Sequence, residues 1–109
     1  MTAQTMKHRT PAILALSHIL TALPHLPAAD IEVGMVSLPD GLSLGLDVHL
    51  PHGHLADFEA WREALNLDPT AVVWRHPVSA SYQVLRVDGE YAGVVVVLRA
   101  YAPCVEVAA

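Results

Sequence analysis

Three of the seven histidines fall within six residues, in the run His49-Leu50-Pro51-His52-Gly53-His54. Imidazole is a ligand for zinc and other divalent ions and exchanges protons near neutral pH. A carboxylate beside it completes a metal shell or orients it as an acid–base pair, and Glu32 and Asp47 are the carboxylates that strand pairing would bring close. The spacing matches no zinc-binding pattern, and Pro51 separates a strand position from a helix start. The run therefore reads first as a solvated corner, with Gly53 supplying backbone freedom. A metal-binding or small hydrolytic site at His49, His52, His54, Glu32 and Asp47 is the alternative.

A second group is Tyr82, Arg86, Tyr91, Arg99 and Tyr101. Aromatic rings and guanidinium groups on one sheet face stack bases and hold phosphates in RNA-binding domains. Here the Gly-rich and aromatic signature of such domains is missing, and eleven acidic residues against six basic ones leave a formal charge of −5, the wrong sign for a phosphate backbone. No nucleic acid is expected as partner. Tyr and Arg are also enriched where proteins bind each other, so these five residues read as an interface with a protein partner or a second copy of the chain. Nucleophilic chemistry has little support. Cys104 has no neighbouring histidine, no serine sits in a Gly-x-Ser-x-Gly turn, and no Gly-rich phosphate loop precedes a helix. No catalytic residue and no cofactor are expected.

The elements that must position these groups follow from periodicity. Along residues 42–50, Leu42, Leu44, Leu46, Val48 and Leu50 alternate with Ser43, Gly45, Asp47 and His49, the mark of a half-buried strand. The strand before it, residues 31–38, joins it through Pro39-Asp40-Gly41. Pairing Met35 with Leu46, Val33 with Val48 and Ile31 with Leu50 keeps the apolar partners on one face. That register sets Glu32 opposite His49 and Asp47 opposite Gly34 on the other face.

Residues 11–23 read as a helix, with Thr10 as cap, Pro11 in its first turn and Pro24 after its end. Its apolar stripe is Ile13, Leu16, Leu20 and Leu23, widened by Leu14 and Ile19. Lys7, His8 and Arg9 ahead of this run, with Pro27-Ala28-Ala29 behind it, have the layout of a secretory signal. The run is too short for a membrane span, however, and contains Ser17, His18 and Thr21, so a core helix explains it better. A second helix over residues 54–66 buries Leu55, Phe58, the Arg62 stem and Leu65, and largely covers Trp61. Residues 71–75 form a short strand. Residues 82–87 and 90–101 form a hairpin with its turn at Asp88-Gly89, pairing Leu85 with Ala92 and leaving all three tyrosines on the outer face.

A chain of 109 residues that is 53% hydrophobic and 16% charged supports one folded domain and excludes intrinsic disorder. A single cysteine offers no disulfide framework, which fits a cytoplasmic protein. The expected fold is α+β: two helices on one face of an antiparallel sheet of four or five strands, in helix-hairpin-helix-hairpin order. Residues 1–10 are expected as a flexible N-terminus, 11–102 as the domain and 103–109 as a tail. The pieces Leu26-Pro27, the alternating strand 42–50, Phe58-Glu59-Ala60-Trp61 and Tyr91-Ala92-Gly93-Val94 span most of the chain. In these it resembles small uncharacterised proteins of high-GC actinobacteria and their phages. The resemblance implies a genome type and an α+β layout, and no activity. The functional expectation is a small interaction module, an accessory protein of a phage or mobile element, that self-associates or binds a protein through the open sheet face.

Overall fold

Alternation along the second strand separates two environments. Leu46, Val48 and Leu50 are buried to 2% exposure or less. In the computed structural model, which describes residues 5–51, 55–76 and 82–103, that strand belongs to a five-stranded sheet. The elements are α1 (Thr10–Ala22), β1 (Asp30–Leu38), β2 (Gly41–Leu50), α2 (Leu55–Ala64), β3 (Val73–Arg75), β4 (Tyr82–Tyr91) and β5 (Val94–Pro103), in sheet order β1-β2-β5-β4-β3. The fold is α+β, a single domain. One core cluster joins Ala12, Ala15 and Ile19 of α1 and Phe58 and Trp61 of α2 to Leu46, Val48, Leu85, Val87, Val96 and Leu98 of the sheet, so both helices cover the same face.

The sheet is mixed, not antiparallel throughout. β1–β2, β4–β5 and β3–β4 are antiparallel, but β2 and β5 run parallel, Leu46 beside Val96 and Val48 beside Leu98. Parallel neighbours need a long crossover, and here α2, β3 and β4 supply it. Residues 71–75 contain only the three-residue strand β3 at the far edge.

Both hairpin registers differ from the expected ones. The first turn is confined to Pro39 and Asp40, so Gly41, at φ 133°, already pairs with Leu38. Met35 therefore lies opposite Leu44, Val33 opposite Leu46 and Ile31 opposite Val48, a shift of two residues. In the second hairpin the turn is Ala92-Gly93, both at positive φ as a tight primed turn requires, so Leu85 pairs with Ala100 and not with Ala92. Asp88-Gly89 stays within β4. Gly89 is there for close packing: a Cβ on it would lie 2.6 Å from Leu67 Cδ2. Shifts of two and of eight in the summed pair numbers are even, so each residue keeps company with the same face of its partner strand while its direct partner changes.

On α1 the buried stripe is Ala12, Ala15 and Ile19, whereas Ile13, Leu14 and Leu20 of the expected stripe are 41%, 64% and 62% exposed. Small side chains at 12 and 15 let the helix lie close on the sheet. Thr10 does not cap it, because a 3-10 turn at Met6–Arg9 precedes it and the cap position is Arg9. No helix among the described residues is long and apolar enough to cross a membrane. On α2, Trp61 is 4% exposed and its Nε1–H donates to the Pro27 carbonyl at 2.8 Å, pinning the proline-rich connection. Asn66, at φ 57°, ends the helix, and Leu67 N–H donates back to the Arg62 carbonyl. Arg62 then donates to the Leu67 carbonyl at 2.7 Å and to Glu59 at 2.7 Å.

The sheet is also bent. In a flat sheet β1 and β4 would be three strand spacings apart, roughly 14 Å. Yet an Arg86 Nη2–H donates to the Ser37 carbonyl, and Leu38 and Pro39 line a cleft with Val73 and Arg75. The β1–β2 tip thus curls over the face that lacks helices, and Val36 and Val97 are buried there, at 5% and 2%, outside the main core. The bend coincides with the pair Gly34–Gly45, where β2 leaves β5. A Cβ at Gly45 would fall 2.3 Å from the Val95 carbonyl oxygen.

Gly45→Ala is therefore expected to cost about 1 to 3 kcal/mol by forcing the backbones apart, whereas Gly34→Ala, facing only the end of Arg9 at 3.3 Å, stays within about 0.5 kcal/mol. Leu46→Ala should cost about 2 to 5 kcal/mol. Urea unfolding of the three variants checks this order. Arg62, by hydrogen bonding, holds the Glu59 carboxyl below the usual carboxylate range. A lowered folded-state value means that its stabilisation is present above the unfolded value and is lost as pH falls through the folded one. The melting temperature should then fall with acidification below about pH 4, and by less in Glu59→Gln.

Candidate functional site

The face without helices carries the polar side chains of alternate positions, and four of the five expected interface residues lie on it. Arg99, on β5, donates from Nε and Nη2 to the two oxygens of Asp47 on β2, at 3.1 and 2.8 Å. The same guanidinium donates from Nη1 to the Tyr101 hydroxyl at 3.3 Å. The Tyr101 ring meets His49 edge-on with centroids 4.9 Å apart, and Tyr82 at 5.8 Å. These five side chains form a continuous band across β2, β5 and β4. Further along β4, Arg86 pairs with Asp88 at 2.8 Å as well as with Ser37.

Tyr91 is not part of this band. Because the turn is at Ala92-Gly93, Tyr91 pairs with Val94 on the helix-covered face. It packs against the core cluster, and its hydroxyl is 2.6 Å from His18 Nδ1 on α1. Of the five residues expected at an interface, Tyr82, Arg86, Arg99 and Tyr101 share the face without helices, where Asp47 and His49 join them, and Tyr91 lies on the other face. His18 was missed as a partner for Tyr91. Its position seventy-three residues away carries no local signal.

The expected acid–histidine cluster is also rearranged. The shifted register puts Glu32 opposite Asp47 and Asp30 opposite His49. Asp47 is engaged by Arg99. His49 Nε2 is buried and has no hydrogen-bond partner among the described residues. His52 and His54 lie outside the described residues, as does Cys104. Among the described residues no three His, Cys, Asp or Glu side chains are grouped so as to hold a metal ion.

Chemically, the band offers a fixed guanidinium and a tyrosine pair. It does not offer free cations. Asp47 takes up the Arg99 fork and Asp88 that of Arg86, so neither has its full charge available to a phosphate. No family model matches the chain, and no curated protein or solved structure is similar to it. The site is therefore read from its own geometry.

With side chains 29% and 23% exposed, the Arg99–Asp47 pair should couple by about 1 kcal/mol in a double-mutant cycle of Asp47→Asn and Arg99→Gln, the coupling shrinking as salt is raised. A coupling indistinguishable from zero at low salt would show that the fork is not formed in solution.

Proposed function

We propose that this chain is a small protein-interaction module that self-associates through the sheet face opposite its helices. The observation that carries the reading is the Tyr82–Tyr101 pair. Its rings are 5.8 Å apart on an uncovered face, and Tyr101 is held in place by Arg99 and His49. Rigid aromatic side chains lose little entropy on contact, and an arginine already oriented by a carboxylate can add a directional contact at the rim. Tyr82 is 41% exposed, and on the same face at the edge Val73 is 53% exposed. A second copy that covers these groups removes apolar surface from water without separating the Arg99–Asp47 pair.

One observation favours the metal-binding or hydrolytic reading instead. His49 Nε2 has no hydrogen-bond partner among the described residues, and a buried imidazole nitrogen left so is a natural donor to a metal ion. Against it, Asp47 is paired with Arg99 and Glu32 faces Asp47 rather than His49. The interaction reading therefore ranks first.

Light scattering behind a sizing column should give a dimer mass that does not change with chelator or added zinc. Tyr82→Asp and Tyr101→Asp are expected to lower that mass with native circular dichroism. Tyr91→Asp, on the core side, should destabilise the fold instead. A wild-type chain that stays monomeric at high concentration would remove self-association, and a melting temperature that drops with chelator would move the metal reading to first place.

A further inference from the structure

The curl of the β1–β2 tip encloses a cleft of about 510 Å3 between the tip and the β3–β4 edge. Its size is within the range of small-ligand sites. One wall is Leu38 and Pro39 of the tip, and the other is Val73 with Ala71 just ahead of β3. Its charged groups are Arg75, Arg86 and Asp88. Asp88 binds Nε and Nη2 of Arg86, which leaves Nη1 without a partner among the described residues. The Arg75 side chain forms no hydrogen bond or ion pair among the described residues. The cleft is thus locally cationic in a chain whose formal net charge is −5, and its cations stand beside aliphatic walls.

We propose that this cleft binds a small monocarboxylic acid with an apolar body. A guanidinium presents two parallel N–H donors that match a carboxylate in shape and charge. Arg75 has both available. The hydrocarbon part of such a ligand is matched by Leu38, Pro39, Ala71 and Val73, whose contact with it removes apolar surface from water on both sides. A polyanion such as a nucleotide fits less well, since Asp88 already neutralises Arg86 and would face the additional phosphates. The cleft shares Val73 and Arg86 with the face proposed for self-association but does not include Tyr82 or Tyr101, so Tyr82→Asp, which should remove the dimer, is expected to leave acid binding in place.

The test is a 1H–15N NMR titration of the whole chain at low salt with butyrate, hexanoate, octanoate and 4-phenylbutyrate, each against its primary amide. Binding should shift the amides of Leu38, Val73, Arg75 and Arg86, and at least one acid should bind at least tenfold more tightly than its amide. Arg75→Gln, at an exposed position of an edge strand, should abolish that preference while the spectrum stays folded, and Arg75→Lys should keep part of it. Equal binding of acid and amide, shifts centred on α1, or no shifts with any acid would overturn the proposal. So would binding only of peptides that end in a free apolar residue, which would assign the cleft to a protein partner.

Discussion

Parallel pairing of β2 with β5 is the interaction on which the rest of the molecule depends, because it joins two hairpins that would each be marginal alone. Through it Leu46, Val48 and Leu50 come to lie beside Val96, Leu98 and Ala100. That places a continuous apolar surface under α1 and α2, and burying it is what makes ordering the helices favourable. The pairing reaches its end at Gly45, where the Val95 carbonyl occupies the space of a side chain. Beyond that point β2 is free of β5, and the tip of the first hairpin turns over the opposite face.

Arginine is used repeatedly as a clip on main-chain carbonyls. Arg9 reaches the Val33 carbonyl of the edge strand β1, Arg86 reaches that of Ser37, and Arg62 reaches that of Leu67 beyond α2. Two of these carbonyls belong to β1, so the longer free edge of the sheet is partly satisfied from within the chain. An edge so occupied is a poorer template for pairing with another strand. The self-association proposed above accordingly uses a side-chain surface, the Tyr82–Tyr101 band, where the arginine is oriented by a carboxylate.

Period-two alternation made the two faces of β2 and of the second hairpin's inner strands legible, and with them the polar company of Asp47, His49, Arg99 and Tyr101. It could not make their neighbours legible. A shift of the pairing by an even number of residues leaves every side chain on its face and changes only what it meets. Glu32 thus moved from His49 to Asp47. Tyr91 changed side for a different reason: it was counted in the returning strand, whereas β4 runs on through Asp88 and Gly89 to reach it.

The sequence alone determined the element order, the α+β class, the burial of Trp61 and Phe58 and the net negative charge, since each follows from local period, capping or composition. Tertiary structure alone decided four things: which side of the uncharged helix α1 faces the sheet, that β2 and β5 run parallel, where the second hairpin turns, and that the sheet bends over its own cleft. Apolar residues flank Ser17, His18 and Thr21 on both sides of α1, so its pattern admits more than one buried stripe, and packing chose the one with Ala12, Ala15 and Ile19. An Asp-Gly pair favours a turn by its own chemistry, yet Asp88-Gly89 runs on within β4, where Asp88 pairs with Arg86 and Gly89 lies against Leu67, twenty-two residues earlier. Such choices depend on groups brought together by the whole fold.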